Sequence, residues 1–114
     1  MVNDGLKDVK ILDPEKIEWK PIEQYPKGAW SKMLYVDEKT GATAMIVKFD
    51  KGFREPPHTH PSNLHMIFLK GKLVDAKGNE IRAGMYVFVP AGVEHGPFDT
   101  PEECIFFAYF DGPP

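Results

Sequence analysis

A single cysteine in 114 residues excludes an internal disulfide framework and any cysteine-rich zinc cluster. No apolar run approaches the roughly 18 residues that a membrane-spanning helix needs. The N-terminus, MVNDGLKDVK, has no apolar signal core, so a cytoplasmic chain is expected. Positive charge is not in excess: 14 Lys+Arg against 17 Asp+Glu leave a formal charge of −3, which argues against a nucleic-acid binder. A helical period sustained over three or four turns is also missing. What remains is 42% hydrophobic and 27% charged, an ordinary globular composition with length for one domain. A chain of this size should bury roughly two-thirds of its unfolded surface without covalent staples.

Ten glycines and eleven prolines exceed the usual share, and they are spread as punctuation rather than gathered in one tract. Between them lie short runs of β-formers: 9–12, 17–20, 29–36, 42–49, 64–70, 72–75, 85–89 and 103–110. Asp37-Glu38-Lys39-Thr40-Gly41 and Asp75-Ala76-Lys77-Gly78-Asn79 each join two such runs and read as hairpin turns. Two-residue alternation puts Thr43, Met45, Val47 and Phe49 on one face. Met85 to Val89 is apolar on both faces, as in a strand covered on both sides. Residues 1–28 are more charged and hold three prolines, which suggests an outer strand-like arm or a segment that meets a partner subunit. The expected fold is all-β, a single-domain two-sheet barrel over residues 29–114 preceded by that arm.

All four histidines fall between positions 58 and 95. In an extended stretch His58 and His60 point to the same side, a natural bidentate clamp for a metal. His65 opens the next apolar run, and His95 follows a turn built by Pro90-Ala91-Gly92. Neutral imidazole suits Zn, Cu, Fe and Ni, and no competing thiolate is near in sequence. Spacing alone leaves open whether these are ligands or surface histidines.

The stretch Gly52-x5-His58-x-His60-x4-His65-x5-Gly71 resembles the first motif of the cupin superfamily. Gly84-x5-Pro90-x-Gly92-x2-His95-x3-Asp99 resembles the second. The resemblance implies a cupin jelly-roll barrel (a double-stranded β-helix) with one divalent transition metal per chain. His58, His60 and His95 correspond to motif histidines. His65 stands where the family usually has Glu, and Asp99 where it usually has Asn, so a four-histidine site of His58, His60, His65 and His95 is expected. Trp30 to Tyr35, Asp37 to Gly41 and Ala44-Met45-Ile46 look like the small cupins related to acetylacetone dioxygenase and the anti-sigma-type cupin domain. What this implies is a non-haem metal-dependent dioxygenase acting on a small enolisable ketone, diketone or hydroxylated aromatic. Fe2+ is the favoured ion, with Zn2+, Mn2+ or Ni2+ as alternatives. A non-redox Lewis-acid enzyme and a non-catalytic metal- or small-molecule-binding module stay open. Neither a membrane nor a nucleic acid is among the expected partners. Small cupins often pair at a sheet edge, so a homodimer is expected, with the N-terminal arm as the exchanged strand.

Other residues are weighed beside these. The aromatic centre of the chain (Phe53, Phe68, Tyr86, Phe88, Phe98, Phe107 and Tyr109) reads mainly as core, since small barrels fill their interiors with side chains. Trp30, Met45 and Phe98 are the candidates for a substrate pocket. Cys104 reads as a buried inert thiol. Arg54 and Glu55 read as solvated charge on the approach to the histidines, and Glu94 as pointing away from His95.

Overall fold

The computed structural model describes residues 8–114; the first seven residues of the arm lie outside the described residues. Eight strands follow a short 3-10 turn at Pro14–Lys16: β1 (Lys20–Pro21), β2 (Ala29–Val36), β3 (Thr43–Phe49), β4 (Arg54–Glu55), β5 (Leu64–Asp75), β6 (Glu80–Arg82), β7 (Tyr86–Val89) and β8 (Phe98–Phe110). All pairings are antiparallel, in the order β1-β2-β3-β8-β5-β6, with β4 on β8 and β7 on β5. The two long strands give the sheet its curl. β5 holds β7 along its first half and β6 along its second, while β8 holds β4 at its start and β3 at its end.

Both expected hairpin turns form by the chemistry of their aspartates. Asp37 Oδ1 accepts from the Lys39 amide at 2.8 Å, and Asp75 Oδ1 from the amides of Lys77 and Asn79. The runs 64–70 and 72–75 are one strand rather than two. Gly71 carries the chain through at φ +71°, between register shifts against β8. A Cβ there would strike the Glu103 carbonyl. β8 starts earlier than the apolar run suggests, at Phe98. Pro101 is exposed within it, and the pairing with β5 shifts register around that point. Residues 9–12 form no strand, and of the run 17–20 only Lys20 pairs.

The inner face of the sheet closes on Phe49, Phe68, Phe106 and Phe110, with Val47, Leu64, Met66 and Cys104 between them. Phe106 stacks on Phe68 at 4.9 Å and meets Phe49 edge-on at 5.3 Å. Thr43, Met45, Val47 and Phe49 share a face as alternation requires: Thr43, Val47 and Phe49 are buried, and Met45 packs against the core. Burial pushes the Cys104 thiol up to about 12, as an inert buried cysteine should be.

Four of the aromatics read as core are not in it. Tyr86, Phe88, Phe107 and Tyr109 lie on the outer face, with Tyr86 56% and Phe88 46% exposed. The strand expected to be covered on both sides is covered only on the inside.

The described part of the arm lies across β2 and β3. Lys32 donates to the Pro14 carbonyl at 2.7 Å, and the Lys32 and Lys48 ammonium groups sit over the Trp19 ring at 4.5 and 4.8 Å.

Candidate metal centre

Two irregular segments hold the histidines. Residues 56–60 run antiparallel to 92–95, and His58 and His95 exchange both backbone hydrogen bonds at 3.0 Å. The Gly92 amide donates to the His60 carbonyl at 2.8 Å, fixing the register one step on. Gly92 enters that turn at φ +76°, where a side chain would be strained. His58 and His60, two residues apart, therefore turn to the same side and meet His95 there. The ring centroids are 4.8 Å (His58–His60), 4.1 Å (His58–His95) and 5.2 Å (His60–His95) apart. One nitrogen from each ring lies within 4.8 Å of the others, so the three could hold a metal ion.

The donor chemistry fits such an ion. His58 Nδ1 lies 2.8 Å from the Pro56 carbonyl, and His95 Nδ1 3.1 Å from the Val93 carbonyl. A carbonyl can only accept, so each Nδ1 carries the proton and each Nε2 keeps its lone pair for a ligand role. Burial, then the neighbouring His58 and His95, hold His60 down to about 4. Burial likewise lowers His95. Neutral rings are what metal binding requires, because a protonated imidazole offers no lone pair.

The fourth histidine does not join them. His65 is the second residue of β5, between Leu64 and Met66, which face the core; alternation sends its ring to the outer face. There Nδ1 lies 2.7 Å from the Tyr86 hydroxyl, and the ring packs between Phe88 and Tyr109. The histidine set brought together is thus three, not the four expected. The motif position matched by spacing falls on the wrong side of the strand.

A carboxylate lies beside His58, outside the group of three. Glu55, read as solvated charge, has a side chain only 8% exposed, with Oε2 3.5 Å from His58 Nε2. Tyr25 donates to the same Oε2 at 2.8 Å, and its hydroxyl lies 3.0 Å from His58 Nε2. Burial is the main reason that the Glu55 carboxyl is pushed up to about 7, against the opposing effects of the Tyr25 hydrogen bond and His95. Burial and the adjacent Glu55 raise the Tyr25 phenol as well. The β4–β8 pairing explains the placement: Phe53 and Glu55 turn inward, while Arg54 between them turns outward to an exposed ion pair with Asp99 at 2.8 Å. That alternation was readable. Tyr25 had no such signal, since 30 residues separate it from Glu55 and only the arm's path along β2 brings it in.

Below the histidines opens an apolar cavity of about 740 Å3, within the range of small-molecule sites. Met45 and Phe98 line it, beside Tyr25 and Glu55. Trp30 does not: its register partner is Lys48, on the outer face, and its indole N–H donates to Asp50 at 3.1 Å. Glu94 is exposed and turned away.

A curled antiparallel sheet around an apolar cavity, with three histidines gathered on its inner side, defines a single-domain cupin with a candidate metal site. The chain belongs to the ChrR cupin-like domain family, whose model matches residues 7–113. No curated protein matches it. Among solved structures, a proposed acetylacetone dioxygenase from Methylibium petroleiphilum PM1 is 23% identical, covering 98% of this chain and 82% of that one, with a TM-score of 0.80. The acetylacetone dioxygenase of Acinetobacter johnsonii is 25% identical over 91% of this chain and 72% of its own, at 0.73. The anti-sigma factor ChrR of Rhodobacter sphaeroides, in complex with SigE, is 22% identical at 0.68; the match covers 85% of this chain and half of that one. Among the described residues no helix is long and apolar enough to cross a membrane.

Proposed function

We propose that the chain is a metal-dependent cupin enzyme of dioxygenase type, acting on a small enolisable ketone, diketone or hydroxylated aromatic. The observation that carries this reading is the buried Glu55–Tyr25 pair set against His58, at the wall of an apolar cavity that also holds His60 and His95. A packing-only barrel gains nothing from a buried carboxylate, which costs free energy to desolvate. In this reading His58, His60 and His95 hold one divalent ion through neutral nitrogens, and Fe2+ is the ion favoured. The ion would supply Lewis acidity and, as iron, a centre where dioxygen and an electron-rich anion can meet.

The chain's own residues do the rest. Met45, Val47 and Phe98 exclude water and take the apolar body of the substrate. Glu55 Oε2 is placed to accept the proton that an enolisable substrate loses on binding as its anion. Tyr25 orients that oxygen through its 2.8 Å hydrogen bond. Three neutral ligands leave the ion's charge uncompensated, which favours an anionic oxygen donor from the substrate. The resemblance to acetylacetone dioxygenases supports the reading in kind.

Elemental analysis of protein never exposed to a chelating column, followed by oxygen uptake with β-diketones and catechols, tests it. About one iron per chain and substrate-dependent oxygen uptake is the expected result. Stoichiometric zinc or manganese without uptake would replace the redox reading by Lewis-acid or binding roles. No metal, and none taken up on reconstitution, would overturn it altogether.

A further inference from the structure

A small barrel either fills its interior with side chains or encloses one small ligand, and this interior is not filled. Among the described residues, Ile22, Tyr25, Met45, Ile81, Val87 and Phe98 pack on the core yet stay only partly buried. All six line the cavity beneath the histidines. They come from the arm, β3, β6, β7 and the start of β8, so the space is walled by five parts of the chain. The strand registers add an inward row, Met33–Met45–Ala108–Met66–Val87, which crosses β2, β3, β8, β5 and β7 and lines the same cavity. Three of its members are methionines, unbranched and able to repack around a guest. Ala108, at its centre, is the small residue between Phe106 and Phe110 on the inner side of β8.

The volume exceeds what a small diketone needs. At about 30 Å3 per non-hydrogen atom, the share of a water molecule in its liquid, a five-carbon diketone takes about 210 Å3. That is less than a third of the 740 Å3 cavity and leaves room for roughly eighteen further atoms. Polarity is one-sided as well. His58, His60, His95, Glu55 and Tyr25 stand together, whereas Ser31 is the one polar lining side chain that β2, β3, β5, β6, β7 and β8 contribute. The rest is an apolar wall, and a guest that removes it from water gains in proportion to the area it covers.

We infer that the site takes a substrate with a chelating oxygen head and an unbranched alkyl tail of about eight to twelve carbons. The head lies at the histidines, and the tail lies against Met45 and Met66 and reaches Ile81 and Val87. The head rests on the metal reading proposed above, whereas the tail rests on the cavity alone. A tail in this place completes the burial of Ile81 and Val87, two inward side chains that no residue of the chain covers fully. An alkyl chain suits this wall because the methionines and isoleucines around it are aliphatic and the methionines adjust to its path.

Binding of pentane-2,4-dione, nonane-2,4-dione and tridecane-2,4-dione to the full-length, zinc-loaded protein tests the inference, zinc being chosen so that no oxidation consumes the ligand. Each buried methylene is worth about a fourfold gain, so the dissociation constant should fall roughly 100-fold from the five-carbon to the nine-carbon diketone, and further for the thirteen-carbon one. With the methionine methyl carbons labelled, the NMR signals of Met45 and Met66 should move on binding the nine-carbon ligand. The signal of Met85, which does not line the cavity, should stay. Ile81→Phe or Val87→Phe should cut the ratio of the two affinities by roughly tenfold, with far-ultraviolet circular dichroism unchanged. If neither variant folds, the wild-type series and the methyl signals still decide. Chelator-treated protein separates the two readings: binding of pentane-2,4-dione should weaken there, and the gain from the tail should persist. A pentane-2,4-dione affinity that chelation leaves unmoved would sink the metal reading and leave the tail to be judged by the same ratio. Equal affinities for the three diketones, or a gain that leaves the Met45 and Met66 signals where they are, would overturn the inference.

Discussion

Replacing Glu55 by Gln should make the metal-free protein more stable at neutral and alkaline pH, even though it alters a residue of the candidate site. The carboxyl is pushed from 4.5 up to about 7, chiefly by burial. Its folded-state pKa is therefore above the unfolded one. The folded chain keeps a proton that the unfolded chain has lost, and stability declines as pH rises from 4.5 through 7. Each unit is worth about 1.4 kcal/mol, so the full cost at pH 8 is on the order of 3 kcal/mol, and under about 1 kcal/mol at pH 5. With the side chain only 8% exposed, little of that is screened by solvent. Gln has the shape of the protonated acid and can still accept from Tyr25. For a chain of this length a gain of that size raises Tm by roughly 10 °C or more. The assay is thermal unfolding of chelator-treated wild type and Glu55→Gln at the two pH values. Chelation matters, because a cation beside His58 would favour the charged carboxylate and offset the penalty. The reasoning fails if the gap between the two proteins is the same at both pH values, or if the Gln protein is the less stable at pH 8.

Three other outcomes follow from the geometry. Alanine at His58, His60 or His95 should each weaken Zn2+ or Fe2+ binding by roughly 100-fold or more, while His65→Ala leaves it unchanged in a competition titration against a chromophoric chelator. Gly71→Ala should cost about 2 kcal/mol or more in urea unfolding, because the residue sits at φ +71° and the new Cβ would meet the Glu103 carbonyl. Met45→Trp should fill the cavity and abolish binding of a diketone while metal content stays normal. Trp30→Ala, at a residue on the outer face, should leave ligand binding as it is.

How far the site was legible depended on whether its signals were local. Asp37, Asp75 and the glycines between paired runs carried the hairpins, because a turn is decided within four or five residues. The His58–His60 clamp was legible for the same reason, since alternation over two residues needs nothing from the rest of the chain. His65 shows where spacing stops being geometry. Four residues after His60 the chain has turned into β5, and the strand's own alternation is set by Leu64, Met66 and Phe68 reaching the core. Had that hydrophobic pattern been read before the motif, its parity would have put His65 outside, beside Ile67.

The same parity rule recovers Glu55, which shares the inward side with Phe53 while Arg54 faces Asp99. It could not recover Tyr25, because no local pattern says that an arm will run along β2 and lay a phenol 3.0 Å from a histidine 33 positions ahead. Nor could it say what covers the back of the sheet. Met85 to Val89 reads as buried on both faces because its sequence is written for two surfaces, and a single chain supplies only the inner one. The mismatch between that sequence and the exposed Tyr86 and Phe88 is therefore information about a surface that the fold of one chain leaves open.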